Sequence, residues 1–338
     1  MTLSIIDQSP VSEGSTPADA LRNTIELARL ADRLGYERYW IAEHHGMATL
    51  ASPAPEILIT RVAAETKGIR VGSGGVMLPH YSPMKVAETF RMLHALYPDR
   101  IDLGVGRAPG GTGLETFALM RDRKHREVPD DFPNQMMELT AFLNHNFPES
   151  HPFSRIDLTP SMPGGPEVWL LGSSLWSSAA AAQLGLPYAF AHFIDQRPTR
   201  SALEYYRSHF TPSEHLKKPL AIVALGAICA DTDAEAQRLS ASSRLLIRRI
   251  RSGDSRPVPT PEEAIRELGS RPDLEAPSTS EFPRYFVGAP EELRDKLIDM
   301  ASQLHLEELM IVTIVHDHRA RLRSYELLAK AFELKPRT

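Results

Sequence analysis

The stretch EVWLLGSSLWSSAAAAQLGLPYAFAHF, Glu167–Phe193, contains a complete strand–helix–strand unit. An apolar run, EVWLLG, is followed by an alanine-rich segment with strong helix propensity and then by a second apolar run, PYAFAHF. Continuously apolar strands that are separated by helices are typical of a parallel sheet covered on its outside. The stretch therefore predicts an α/β fold.

The same alternation recurs along the chain, to give about eight units. The other apolar runs that precede a helical pattern are LSIIDQ, RYWIAE, IRVGSGGVML, IDLGVG, LAIVALGAICA and ELMIVTIV. Eight such units in 338 residues favour a closed, eight-stranded (β/α) TIM barrel over an open doubly wound sheet. We expect this barrel to be a single domain over residues 1–338.

Two regions interrupt the alternation. Residues 106–130 predict a long loop after the fourth strand, and residues 251–285 are rich in proline without a sustained apolar period. Within the second region, Glu262–Leu268 predicts a short helix. Long segments of this kind in compact folds are often lids, so we expect 251–285 to be an insertion that covers the carboxyl-terminal mouth of the barrel.

The composition limits the classes of partner. A formal net charge of −5 gives no reason to expect a nucleic acid or an anionic membrane surface. The single cysteine, Cys229, excludes an internal disulfide and a multi-cysteine metal site. The sequence shows neither a secretory signal nor an apolar run long enough to span a membrane, so we expect a cytoplasmic protein.

Polar residues follow the apolar runs at the points where barrel enzymes assemble their active sites. Glu43 and His44 end the second strand, and alternation on an extended chain predicts that only one of His44 and His45 enters the pocket. Both histidines could instead simply cap the strand end. Gly74–Gly75 permits close backbone approach. Arg107 suits a phosphate or a carboxylate, although a surface ion pair would explain it equally well.

The fifth unit adds a candidate anion site. Ser173, Ser174 and Ser177 lie at the predicted start of a helix, where unpaired N–H groups and the helix dipole favour an anion. Serine is also a common helix cap without any ligand. Together with Arg107 at the same rim, the three serines favour a phosphate site.

These motifs together resemble the bacterial luciferase-like family of flavin-dependent monooxygenases. The segments that carry the resemblance are AEHHG, GGVMLPHYSP, GRAPGG, LGSSLWSSAAAAQLGLPYAFAHF, FVGAPEELRDKL and HDHRARLRSYELLA. The similarity runs over nearly the whole chain. It implies reduced FMN and O₂ as co-substrates, a small organic substrate, and often a homodimer packed through helices of the first half.

The resemblance also implies roles for individual residues. His44 corresponds to the active-site histidine, which assists proton transfer at the flavin peroxide, and Glu43 to a backbone contact with the ring. Gly74–Gly75 corresponds to a cis peptide under the flavin, and His192 to a residue lining the ring pocket. The residues that correspond to the phosphate site are Arg107, Ser173, Ser174 and Ser177.

The chain also departs from the light-emitting enzyme. Gly106 stands where its large subunit has a reactive cysteine, and Ser173 replaces an acidic residue at the phosphate helix. Light emission on an aldehyde is therefore not expected. The stretch GVGRAPGG lacks the spacing of a dinucleotide-binding loop, which favours delivery of reduced FMN by a separate flavin reductase.

Other functions remain open at this point. A metal-dependent hydrolase on the same barrel would use histidines near strand ends, namely His44, His80, His192, His316 and His318. A third possibility is a non-catalytic flavin-binding barrel or one that uses a deazaflavin. A serine hydrolase is disfavoured because no G-x-S-x-G motif occurs.

Overall fold

A computed structural model describes residues 1–111, 113–119, 130–269 and 280–337. Within these ranges, nine parallel strands form one sheet. The strands are β1 Thr2–Asp7, β2 Arg38–Ile41, β3 Arg70–Met77, β4 Ile101–Gly106, β5 Glu167–Gly172, β6 Tyr188–Ala191, β7 Ala221–Cys229, β8 Tyr285–Gly288 and β9 Glu308–Val312.

Helices follow the strands. The helices among the described residues are α1 Pro17–Leu34, α2 Pro55–Glu65, α3 Pro83–Leu96, α4 Gly113–Leu119, α5 Phe132–Asn144, α6 Leu175–Leu184, α7 Thr199–Ser208, α8 Asp233–Arg251, α9 Pro261–Leu268, α10 Pro290–Gln303 and α11 His318–Ala331. A short 3₁₀ helix, Leu78–His80, follows β3. No helix in the described part of the chain is both long and apolar enough to cross a membrane.

Local sequence explains where the helices begin and end. The Thr16 side chain caps the start of α1 in a reciprocal pair with Asp19, and Gly35 ends the helix in the left-handed conformation, with φ of 91°. Proline occupies the first turn of six of the described helices, where its missing N–H costs nothing. These are α1, α2, α3, α5, α9 and α10.

Eight strands close a barrel. Strands β1 to β6 pair in chain order, β6 pairs with β7, β7 with β9, and β9 with β1. This confirms the predicted (β/α) TIM barrel. The carboxyl-terminal ends of the strands meet at one end of the barrel, which we call the mouth; the opposite end is the base.

The ninth strand corrects the sequence prediction. β8 pairs only with Gly226–Cys229 in the second half of β7, and so lies outside the closed ring. The run ELMIVTIV therefore supplies β9 rather than an eighth consecutive strand. β8 and α10 were not predicted from apolar periodicity, because a four-residue strand beside a proline-rich region gives almost no periodic signal.

The first of the two interrupting regions contains more helix than expected. Helix α4 lies within the predicted loop 106–130, whereas α9 confirms the short helix predicted over Glu262–Leu268. The remainder of the loop prediction, residues 120–129, lies outside the described residues. The same applies to residues 270–279 of the predicted insertion.

Apolar side chains fill the inside of the barrel. They come from β1, β2, β5, β6, β7 and β9 and are Ile6, Trp40, Trp169, Ala189, Ile222, Ala224, Met310 and Val312. Val258, in the loop after α8, packs on the same cluster from the mouth. Its backbone N–H donates to Val11 O at 2.8 Å, which ties this loop to the segment after β1.

Charged residues close the base. The carboxylate of Asp102, which is fully buried, accepts hydrogen bonds from Arg38 Nη1, Trp40 Nε1 and Arg70 Nε, each at 2.8 Å. Glu308 lies 3.3 Å from Arg38 Nε. Because these charges pair with one another, they close the base and stabilise the fold. The candidate reactive groups lie at the mouth.

Candidate active site

Hydrogen bonds of the backbone fix the loop that carries the two histidines. After β2 ends, Ala42 N–H donates to Asp7 O at 2.9 Å. His44 N–H then donates to Ser52 O, and His45 N–H to Gly110 O, both at 2.9 Å. The loop is therefore held on both sides, by the segment that leads into α2 and by the segment after β4.

The His44 ring has no hydrogen-bond partner among the described residues. Its side chain is half-buried, and Nδ1 is fully enclosed. Burial, with a smaller contribution from the neighbouring His45, lowers the pKa of His44 to about 4. The imidazole is therefore neutral near pH 7, with one nitrogen able to accept a proton and the other able to donate one.

Glu43 and His45 pair with each other instead. Glu43 is 1% exposed, and its Oε1 lies 2.8 Å from His45 Nε2. The same oxygen accepts from Tyr81 Oη at 2.8 Å, and Oε2 accepts from Met77 N–H at 3.1 Å. This confirms that one histidine holds the loop, namely His45, while His44 is left unpaired.

The glycine pair lies on β3, next to β2. The Gly74–Gly75 peptide is cis, as the resemblance implied. A Cβ on Gly75 would lie 2.7 Å from Gly104 O of β4, so only glycine permits this close approach of the two strands. The pair therefore leaves the barrel wall at the mouth without side chains.

Arg107 reaches the start of α6, as predicted. Its guanidinium carbon lies 3.9 Å from the centre of the Trp176 ring, in the first turn of that helix. Arg107 Nη1 also donates to Asp130 Oδ2 at 2.8 Å, in an exposed ion pair. A cation thus stands beside the positive end of a helix, which is a favourable arrangement for an anion.

The serines at this helix start differ in what they can bind. Ser174 is the exposed N-cap of α6, and Ser173 before it is half-buried. The Ser177 hydroxyl is buried, donates to Ser174 O at 2.8 Å, and lies 2.9 Å from Tyr188 Oη. Its hydroxyl therefore serves the helix cap and the core, and a phosphate would find Ser173, Ser174 and backbone N–H groups instead.

His192 lies just after β6 and connects two neighbouring segments of the chain. Nδ1 lies 2.7 Å from Thr199 Oγ1, and Nε2 lies 2.9 Å from Pro283 O, to which it donates. Burial lowers the pKa of His192 to about 4. With both nitrogens bonded, this histidine joins the end of β6 to the segment before β8.

The other histidines near strand ends do not form a cluster. His80 and His316 bond to backbone carbonyls, and His318 bonds to Glu26. The described residues contain no group of three or more His, Cys, Asp or Glu side chains arranged to hold a metal ion. His80, His316 and His318 are therefore each accounted for by a hydrogen bond within the protein.

Most of the predicted site residues lie along one side of the mouth. β2, β3, β4 and β5 are consecutive neighbours in the sheet; His44, Arg107 and Ser173–Ser174 follow the ends of β2, β4 and β5, and Gly74–Gly75 lies within β3. His192 lies one strand further on, after β6. Tyr81 was not singled out from the sequence. A tyrosine in a loop carries no local sign that it will bond a carboxylate 38 residues away.

Comparison with known proteins agrees with this arrangement. The family model described as luciferase-like monooxygenase matches residues 1–305. This chain belongs to the luciferase-like monooxygenase family. Family membership supports a monooxygenase activity and a flavin-type cofactor.

Relatives within the family match over almost their full length. A luciferase-like monooxygenase of Escherichia coli (strain K12) is 39% identical over 97% of this chain and 96% of that protein. An N-acetyl-S-alkylcysteine monooxygenase of Bacillus subtilis (strain 168) is 36% identical over 97% of both. The crystal structure of apo-MsnO8 is 53% identical over 99% of both chains, with a TM-score of 0.92.

More distant structures share the fold of luciferase-like monooxygenases. The oxygenating constituent of 3,6-diketocamphane monooxygenase from Pseudomonas putida, in complex with FMN, has a TM-score of 0.73 at 19% identity and 100% coverage of both chains. An F420-dependent secondary alcohol dehydrogenase has a TM-score of 0.68 at 14% identity and 99% coverage of both. The fold thus accommodates both cofactors.

Proposed function

We propose that the protein is a flavin-dependent monooxygenase that uses reduced FMN and O₂ to oxygenate a small organic substrate. The observation that carries this proposal is His44, a neutral imidazole at the mouth with no hydrogen-bond partner among the described residues. A half-buried polar group without a partner is costly, and ligands commonly satisfy such groups at functional sites.

The residues present fit FMN. Arg107 and the amino end of α6 would hold the phosphate, with Ser173 and Ser174 nearest to it. The glycine wall of β3 would face the ring system, and backbone of Glu43 would contact it. When bound, reduced FMN supplies the electrons that activate O₂.

His44 would act as the proton-transfer group of the reaction. Its neutral ring can take a proton from one reacting oxygen and return it to another, which general acid–base catalysis requires. The loop around Val258, fastened to the segment after β1, would help to exclude water from this chemistry, in line with a lid role for part of residues 251–285.

The proposal extends to two protein partners. A separate flavin reductase would deliver the reduced cofactor, since the stretch GVGRAPGG lacks the glycine spacing of a dinucleotide-binding loop. A homodimer would cover apolar side chains that α2 and α3 expose, namely Ile57, Met92 and Leu96, which are 54–69% exposed. Sedimentation tests the homodimer: the wild type should sediment as a dimer and Met92→Glu as a monomer.

The test combines binding and turnover. We expect anaerobic titration to show saturable binding of reduced FMN, and O₂ uptake to follow when a thioether or ketone substrate is added. His44→Ala should bind the cofactor and lose about 10²- to 10⁴-fold in kcat, whereas His215→Ala, which changes an exposed histidine, should match the wild type. Tight binding of reduced F420 with no O₂ uptake would instead establish the deazaflavin alternative.

A further inference from the structure

The side chain of Glu43 connects three segments of the mouth. Its two oxygens accept hydrogen bonds from His45 on the loop after β2, from Met77 at the end of β3, and from Tyr81 after the 3₁₀ helix. The residue is 1% exposed. A buried carboxylate is tolerated when it is fully hydrogen-bonded, and this one has three donors.

The same network reaches a fourth segment, after β4. His45 N–H donates to Gly110 O at 2.9 Å, and the His45 ring packs edge-on against His80 with ring centres 5.8 Å apart. His80 Nε2 in turn donates to Pro109 O at 2.8 Å. The ends of β2, β3 and β4 are therefore joined through one set of side chains.

This network determines which of the two histidines remains available. Successive side chains on an extended chain point to opposite faces. While Glu43 holds His45 on one face, the His44 ring is directed to the other, where it has no partner among the described residues.

We propose that Glu43, acting together with Tyr81, is a positioning residue that locks His45 into the network and thereby presents His44 to the mouth. The consequence for catalysis rests on the proposed function of His44, while the positioning itself does not. The role is carried by the side chain of Glu43 and is separate from any contact of its backbone with a cofactor.

Two substitutions probe the network with little change in shape. Glu43→Gln replaces one acceptor oxygen by an NH₂ group, so either Met77 N–H or the Tyr81–His45 pair loses its acceptor. Tyr81→Phe removes a single donor. The control is Tyr206→Phe in α7, in the outer layer, because the Tyr206 hydroxyl also holds the fold together, by donating to Leu186 O at 2.8 Å and accepting from Leu220 N–H at 3.2 Å.

The expected result separates positioning from stability. Tyr81→Phe and Tyr206→Phe should both lower the urea midpoint, Tyr206→Phe at least as much, because its hydroxyl is both a donor and an acceptor. Only Tyr81→Phe should lower kcat, by about ten- to a hundredfold with KM for the cofactor little changed, because misplacing a catalytic group by about 1 Å has effects of that size. Glu43→Gln should lower kcat at least as much.

NMR of histidine-labelled protein without cofactor gives an independent measure. The side-chain resonances of both His44 and His45 should shift in Glu43→Gln and Tyr81→Phe, and remain in place in Tyr206→Phe. Unchanged His44 resonances in a folded Tyr81→Phe, or a loss of kcat equal to that of Tyr206→Phe, would overturn the proposal. A wild type that neither binds reduced FMN nor consumes O₂ would refute the proposed function, while the NMR comparison would still decide the positioning.

Discussion

The two ends of the barrel treat buried polar groups in opposite ways. At the base, Asp102 is enclosed by two arginines and an indole N–H, and each of its oxygens is bonded. At the mouth, Glu43 is satisfied just as fully, but the adjacent His44 has an enclosed nitrogen with no partner in the described part of the chain.

This difference shows where the chain retains binding capacity. Both ends bury charge, so burial alone does not identify a site. What distinguishes the mouth is that its unpartnered group is an imidazole, which can take up and release a proton, whereas the unpartnered Trp169 Nε1 beside Arg38 can only donate a hydrogen bond. The paired charges of the base stabilise the fold. The unpartnered His44 ring at the mouth lowers stability but can still bind a ligand.

The largest expected effect is on stability, at the base. Asp102→Ala removes the fully buried counter-charge of Arg38 and Arg70 and leaves them only the less buried Glu167 and Glu308. This loss should lower the free energy of unfolding by about 3–5 kcal/mol. Asp231→Ala, which breaks an exposed pair with Arg323, should cost about 1 kcal/mol or less. Urea unfolding at pH 7 measures both, and equal losses would mean that the base is not a buried ionic plug.

The next effect concerns the cofactor, at the mouth. Arg107→Met should weaken FMN binding by about 1.5–3 kcal/mol, the usual value of a hydrogen bond to a charged group, with little loss of stability because the Arg107–Asp130 pair is exposed. Fluorescence titration measures the affinity. Arg197→Met removes another exposed arginine that pairs with an aspartate and should leave affinity unchanged; a similar loss in both would argue against a phosphate site at α6.

A third effect is the pH dependence that the two neutral histidines impose. The folded state holds the pKa of His44 and His192 at about 4, whereas the unfolded chain takes up a proton below about pH 6.5. The free energy of unfolding should therefore be highest above pH 6.5. Between pH 6.5 and pH 4 it should fall by about 1.4 kcal/mol per pH unit for each histidine.

Denaturant unfolding between pH 7 and 5 checks this dependence. His192→Asn should make the free energy of unfolding less dependent on pH, by about 1.4 kcal/mol per pH unit, the contribution of one histidine. The exposed His215→Gln should leave the pH dependence unchanged. An unchanged slope in His192→Asn would show that this imidazole is not kept neutral by burial.

The smallest effect distinguishes the serines. Ser177→Ala should lower the free energy of unfolding by about 1 kcal/mol, through the loss of its bonds to Ser174 O and Tyr188 Oη, while FMN affinity stays nearly constant. Calorimetry and the same titration measure both quantities. A loss of affinity with unchanged stability would place the Ser177 hydroxyl on the phosphate.

The sequence was sufficient for those features that depend on local pattern. Apolar runs predicted the barrel strands, and strand alternation predicted that His44 and His45 would differ in role. β8 was missed because four residues contain too little periodicity. The Ser177 hydroxyl could not be assigned, since helix caps and anion sites use the same residue type.

The remaining site features depend on distance in the fold. Tyr81 meets Glu43 across 38 residues, and Met77 meets it across 34. No property of a single sequence encodes such pairs, because they arise from the register between strands. These contacts are the part of the site that only the structure reveals.

The loop after α8 has a consequence for how molecules enter. Val258 exchanges hydrogen bonds with Val11 and Glu13, and Thr49 Oγ1 donates to Ser255 O at 2.7 Å. These hydrogen bonds join the loop after α8 to the segments after β1 and β2, so this part of the rim should change little when a substrate binds. Differences in the size of the substrate that engineered variants accept should therefore arise from changes on the opposite rim, above β4 to β6.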